Sequence, residues 1–394
     1  MTGGWPADRP VDAPMDRVPA GGAGRPAVAT DLASFFATHP DLRFIFTGGK
    51  GGVGKTVAAA SIASLTAREG RHTLLASLNP VHSLASLFGQ KRLASGGIEP
   101  VEGVPNLDAI EVEADEIVAR YRDNIGSRVR EFLKWADIPV DAKPFVEIAV
   151  TNPAFEESAM FDKMMEIMLR EGREYERIVF DTAAVANAVR LIGLSKIYGL
   201  WLARMIDSRK EALGMRVQLS FRKERVMEEV ARDPLMADLL DMNERFTQVK
   251  VLLTDPGKTA FFFVTLPLSL PISVVKRFIT MVQAYDIPMG GVIVNQVLQP
   301  GLLGAGGMAQ ATGVTGGAAA DGAGGVHAAD YVRNRYQEQL GYLEQIRSDL
   351  GPHVRAFIPQ YPDEVNSVAS MSRVTDDLLR FVPDSWRAIA GAGA

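Results

Sequence analysis

The chain has 394 residues, 47% of them hydrophobic and 23% charged, with a formal net charge of -5. That length supports one large domain or two ordinary ones, and the acidic balance gives no bulk reason to bind nucleic acid or acidic lipid. There is no cysteine, which excludes disulfides, thiolate metal sites and a cysteine nucleophile. No apolar run approaches the roughly 20 residues of a membrane helix, so a cytoplasmic location is the default.

Residues 1–30 are rich in Gly, Pro and Ala, lack an apolar h-region and read as a disordered tail rather than a signal peptide. Asp31 to Thr38 suits a short helix. Arg43 to Thr47 is an apolar run ending in glycines, as a buried strand does. Val57 to Arg68 reads as a helix and Thr73 to Ser77 as the next strand, a βαβ opening that marks a parallel sheet covered by helices. From about Leu107 to Met168 the pattern is mainly helical. Arg177 to Phe180 is a third strand ending at Asp181. A second helical block runs over 189–252, so the two blocks form a discontinuous helical subdomain. Ala260 to Thr265 and Gly291 to Asn295 are further strands, with a helix over Ser273 to Tyr285 between them. The Gly/Ala-rich stretch 300–329 buries too little apolar surface to offset its ordering entropy and reads as a flexible loop. Tyr331 to Leu350 is an amphipathic helix, Val354 to Ile358 the last strand, and Val374 to Phe381 the last helix. Residues 31–390 thus read as one α/β domain, and the terminal Gly-Ala residues as frayed.

One motif carries the chemistry. Gly49 to Thr56 match G-x-x-x-x-G-K-T, after a predicted strand and before a predicted helix. Glycines let consecutive backbone N–H groups turn onto phosphate oxygens, and the helix N-terminus faces the same anion. The loop Gly48-Gly49-Lys50-Gly51-Gly52-Val53-Gly54 therefore reads as a triphosphate cradle, with Lys55 reaching the β- and γ-phosphates and the Thr56 hydroxyl on Mg²⁺.

Lys50 makes the motif the deviant form, K-G-G-V-G-K-T, shared by ParA/MinD-like, nitrogenase-iron-protein-like and ArsA/Get3-like ATPases. Leu74 to Leu84 (LLASLNPVHSL) with Leu87-Phe88-Gly89 resembles the ArsA/Get3 switch I pattern, S-T-D-P-A-H-S-L then F-G. Asn106 to Arg122 resembles that family's strand leading into its first helical insert. Ile178 to Ala183 resembles switch II, Val292 to Gln296 the V-N-Q segment, and Tyr342 to Ile346 with Ile358 to Val365 the C-terminal helix and adenine-side loop. The chain is thus similar to the ArsA/Get3 family of dimeric ATPases from about Arg43 to Phe381.

That resemblance implies a doubly wound, mainly parallel P-loop fold with a helical subdomain. It implies ATP and Mg²⁺ as ligands, with Lys50 reaching across a dimer interface to the partner's nucleotide; a merely solvated lysine is the alternative. Asp181 would support the metal, Asn295 would read adenine, and Pro359 lies on the adenine-side loop. The partner would be a second copy or a homologue of the same family, acting on a membrane protein or an apolar client, so that the protein is cytoplasmic or peripheral to a membrane partner.

The sequence also departs from the family. The switch I aspartate that orients the attacking water is here Asn79, which can hold a water but not accept its proton, and losing a general base costs about 10²- to 10⁴-fold. The family's P-T-G-H in switch II is Ala184-Val185-Ala186-Asn187. Both point to slow hydrolysis, or to a regulatory pseudo-ATPase paired with an active homologue; near-normal turnover despite Asn79 is the opposing reading. No arsenite or zinc site can be built from cysteines. A ParA/MinD-like positioning ATPase on a membrane is a further alternative.

Other features read more plainly. Met160, Met164, Met165 and Met168 fall at helical spacing and suit core packing. Leu200, Trp201, Leu202, Met205 and Ile206 suit helical packing, with a client groove as the alternative. Asp115 and Glu116 read as solvated, His82 receives no catalytic role, and Leu378, Leu379, Phe381, Val382 and Trp386 suit docking on the domain.

Overall fold

The computed structural model describes residues 31–79, 83–135, 153–182, 234–300 and 322–390, with isolated positions at 141, 143, 144, 147, 204, 207 and 211. Its frame is an eight-stranded sheet: β1 Phe44–Gly48, β2 Thr73–Ser77, β3 Ile98–Pro100, β4 Leu107–Glu111, β5 Arg177–Asp181, β6 Thr259–Thr265, β7 Met289–Val297 and β8 Val354–Pro359. The spatial order is β3-β4-β2-β5-β1-β6-β7-β8. All neighbours run parallel except β3 against β4. The α/β class expected from the alternating pattern is therefore the observed one, with a short antiparallel edge strand that the sequence did not announce.

Strands with helices on both faces are apolar almost throughout, and every residue of β1, β2, β5 and β6 is buried. Side chains alternate between the faces, so Phe44, Phe46, Phe180, Phe261 and Phe263 join one core while Ile45, Leu75, Val179 and Phe262 join the other. Phe46 stacks between Phe180 and Phe261, at centroid distances of 4.8 and 4.5 Å. The first face is covered by α5 Pro153–Leu169, α6 Pro234–Thr254, α7 Ser269–Ala284 and α8 Gly322–Leu350, together with Ile117 of α4 Ala114–Trp135. The second carries α1 Leu32–Thr38, α2 Lys55–Arg68, α3 Leu84–Phe88 and α9 Val368–Arg380.

The helical block drawn from 107 is corrected at its start: Leu107–Glu111 is strand β4, paired in parallel with β2, and the helix begins at Ala114. Leu107 and Ala109 belong to one core and Ile110 to the other, so the period is 2 over this stretch. α8 begins at Gly322, inside the stretch read as a loop; alanines favour helix once a stable amphipathic turn follows to propagate from. α9 begins at Val368 rather than Val374, because Ser367 caps it in a reciprocal pair with Ser370. The methionine stripe is core: Met164, Met165 and Met168 are buried and Met160 packs beside them. Asp115 and Glu116 are exposed. A short helix α10, Asp384–Ala390, docks through Trp386 on Phe357, with ring centroids 5.0 Å apart.

The tail 1–30, His82, switch II from Ala183 to Asn187, Leu200 to Leu202 with Met205 and Ile206, residues 301–321 and the terminal 391–394 lie outside the described residues. Among the described residues no helix is long and apolar enough to cross a membrane.

Candidate nucleotide site

The site sits at the carboxyl ends of the central strands, where an open α/β sheet leaves a crevice. Register builds it. Thr47 of β1 lies opposite Asp181 of β5, and Asp181 lies opposite Ser77 of β2. A row of polar side chains thus crosses the sheet at one level. β1 hands over to the glycine loop, and α2 starts at Lys55 behind it.

Two loop glycines are required by the fold itself. A Cβ on Gly49 would lie 2.4 Å from the Val264 carbonyl oxygen of β6. Gly54 has φ +86°, and a Cβ there would lie 2.1 Å from Asn295 Nδ2. Gly51 and Gly52 are exposed, with open space where a Cβ would be, so the loop presents bare backbone outward.

Behind the loop, Lys55 is buried at 8% exposure. Its Nζ donates to the Lys50 carbonyl at 3.3 Å. Burial lowers its pKa, opposed by the charge of Asp181. Thr56 Oγ1 donates to Asp181 Oδ2 at 2.6 Å, and Ser77 Oγ reaches the same oxygen at 3.5 Å. Asp181 is fully buried, and among the described residues its Oδ1 has no hydrogen-bond partner. Burial raises its pKa above the ordinary carboxylate value, against the lowering influence of the Thr56 bond and Lys55. A buried carboxylate oxygen without a partner is costly and calls for an explanation.

That orphan oxygen tests whether the residues fit a divalent cation beside a triphosphate. Among the described residues no group of three or more His, Asp or Glu could cage a metal. Mg²⁺ needs no such cage, since it keeps several waters and is bound through few protein groups plus substrate phosphates. One hydroxyl, one orphan carboxylate oxygen and a glycine cradle are a donor set of that kind, so the residues fit.

The cleft beside Thr56 has a volume of about 710 Å³. Thr56, Val57, Asn295, Gln296 and Pro359 line it, with Gln360 to Asn366 closing the far wall. The structure thus brings Thr56 and Asp181 into contact, sets Lys55 within the electrostatic influence of Asp181, and places Asn295 and Pro359 on the same cleft as Thr56. Lys50 is exposed and makes no ion pair among the described residues. The Asn79 backbone N–H donates to Ser77 Oγ at 3.4 Å, which leaves Asn79 next to the residue that touches Asp181.

Two contacts in the candidate site were missed from sequence. Ser77 is the second hydroxyl on Asp181. Glu111, at the tip of β4 and buried, accepts the backbone N–H groups of Ser83 and Leu84, the latter at 2.8 Å, and so pins the segment after Asn79. The available signal was a polar residue ending each apolar strand: Ser77 and Glu111 lie opposite each other in register.

A strand, a glycine loop, a helix and a carboxylate on the adjacent strand define a P-loop nucleotide-binding protein. A sequence model of the anion-transporting ATPase family matches residues 42–301, and the chain belongs to that family. It is 30% identical over 275 residues to ATPase GET3B of Arabidopsis thaliana, covering 66% of this chain and 65% of that protein. It is 26% identical over 264 residues to ATPase ASNA1 homolog 2 of Paramecium tetraurelia, covering 66% and 78%. Against ATPase ARSA1 of Chlamydomonas reinhardtii it is 26% identical over 372 residues, covering 88% of this chain and 44% of that protein. The match thus spans just under two thirds of GET3B and under half of ARSA1.

Proposed function

We propose that this protein binds Mg-ATP and hydrolyses it slowly, working as a dimeric switch of the ArsA/Get3 type that couples nucleotide state to a protein partner or apolar client. The observation that carries this reading is the orphan oxygen of buried Asp181 beside Thr56 and Lys55, with the family membership behind it. Lys55 would leave the Lys50 carbonyl for the β- and γ-phosphates, and the backbone of Gly49 to Gly54 would cradle them. Magnesium, held on Thr56 and through water on Asp181, would supply charge neutralisation at those phosphates. Asn295 and Pro359 would border the base. The reaction is ATP + H₂O → ADP + phosphate. Exposed Lys50 supports a second subunit, either a copy or a homologue, closing over the nucleotide.

Phosphate release tests this. Wild type is expected to turn over slowly and Lys55→Ala not at all; equal turnover by the two would defeat the proposal. Asn79 favours a second reading, a regulatory half with negligible chemistry of its own. Tight ATP binding without turnover in wild type, with turnover appearing in Asn79→Asp, would decide for that one.

A further inference from the structure

Asn295 has a second task in this structure, separate from any contact with a base. Its side chain is 5% exposed and bridges two backbones. Nδ2 donates to the Val53 carbonyl of the phosphate loop at 2.9 Å. Oδ1 accepts the N–H of Gln296, its own neighbour, at 2.8 Å. The two partners determine which end of the amide is which, since a carbonyl can only accept and an N–H can only donate. Gln296 itself sits at φ +55°, an uncommon conformation for a residue other than glycine, so the end of β7 is turned to make this bridge. Gly54, the next residue after Val53, leaves the room: a Cβ there would lie 2.1 Å from Nδ2.

We infer that Asn295 is a positioning residue for the phosphate loop, holding Val53 and the left-handed turn at Gly54 in the conformation that cradles phosphate. The bond spans 242 positions in sequence and ties the loop to β7, whose end also lines the base side of the cleft. Loss of the amide leaves the buried Val53 carbonyl without its donor and frees the loop to sample conformations that do not bind phosphate. The consequence is specific: phosphate affinity depends on Asn295 even for a ligand that has no base.

This rests on the reading of the cleft as an ATP site, and the experiment separates the two. Mg-tripolyphosphate, Mg-ATP and Mg-GTP are titrated calorimetrically into wild type, Asn295→Ala, Asn295→Asp and Lys55→Ala. Wild type should bind all three and Lys55→Ala none. Asn295→Ala should weaken tripolyphosphate about tenfold and ATP at least as much. Asn295→Asp, which keeps the acceptor for Gln296 but cannot donate to Val53, should be weakened no less. An Asn295→Ala protein that binds tripolyphosphate like wild type and loses only ATP would overturn the inference and leave the ATP site standing. No binding of any ligand by wild type would instead overturn the ATP reading. Should Asn295→Ala fold poorly, Gly54→Ala gives the second arm. Its loss of tripolyphosphate affinity should be smaller in the Asn295→Ser background, where the obstructing amide is shorter, than alone; strict additivity would contradict the coupling.

Discussion

Asp181 and Asp108 stand at opposite ends of the same sheet and are treated in opposite ways. Asp108, near the amino end of β4, is half-buried and satisfied: Oδ2 accepts the Tyr175 hydroxyl at 2.8 Å and faces His72 Nε2 at 3.2 Å. Burial and the Asp108 bond both push the Tyr175 phenol well above its ordinary pKa, so it remains a donor. Asp181, at the carboxyl end of β5, is buried more completely and yet keeps one oxygen without a partner among the described residues. Its close donors are the Thr56 hydroxyl at 2.6 Å, itself a candidate metal ligand, and the Ser77 hydroxyl at 3.5 Å. At the amino end Asp108, His72 and Tyr175 close on one another. The other end holds a carboxylate in a state that a cation would relieve. What sets Asp181 apart is that its orphan oxygen belongs to a carboxylate beside the glycine loop, which the proposed Mg-ATP site would account for.

Substitutions can break or sharpen this contrast. The largest effect is expected at Asn79. Asn79→Asp would supply a proton acceptor at the proposed water position and should raise the phosphate-release rate by about 10²-fold or more, as measured in single turnover. A rate unchanged within threefold would mean that water activation is not what limits this protein. Next is Asp181→Asn, with two effects of opposite sign. Mg²⁺-dependent ATP affinity should fall by about 10- to 100-fold. The nucleotide-free protein, however, should melt about 2 °C higher at neutral pH.

The pH dependence follows from the raised pKa of Asp181. A carboxyl whose folded-state pKa lies above its unfolded value of about 3.9 favours folding in acid and opposes it as pH rises through the folded value. The melting advantage of Asp181→Asn should therefore be small near pH 4 and grow towards neutrality. An advantage that shrinks with rising pH would contradict the assignment. The smallest effect belongs to the other end of the sheet. Tyr175→Phe should cost about 1 kcal/mol of stability in urea unfolding while leaving Mg-ATP affinity within a factor of two.

Much of this was legible in the sequence, for a definite reason. β1, β2, β5 and β6 are buried on both faces, so they appear as uninterrupted apolar runs, and β1, β2 and β5 stop where a glycine or polar residue begins the candidate site. Gly49 to Thr56 announced their chemistry because the loop needs that spacing regardless of what surrounds it. Contacts made by register are another matter. Ser77 meets Asp181 only because β2 and β5 pair in one alignment, and Asn295 meets Val53 across the sheet. No local pattern encodes either. The start of α8 at Gly322 was hidden because composition alone suggested a loop there; β4 showed through the family resemblance but not through periodicity, because Asp108 and Glu111 sit in an otherwise helical-looking stretch.

The central claim is that the orphan carboxylate and the glycine loop together make a Mg-ATP site. Calorimetric titration of ATP in the presence of Mg²⁺, and again in excess chelator, addresses it directly. Saturable heat with Mg²⁺ that falls at least tenfold in affinity on chelation, and that disappears in Lys55→Ala, is the predicted result. Equal binding with and without Mg²⁺, or heat that survives the loss of Lys55, would contradict it.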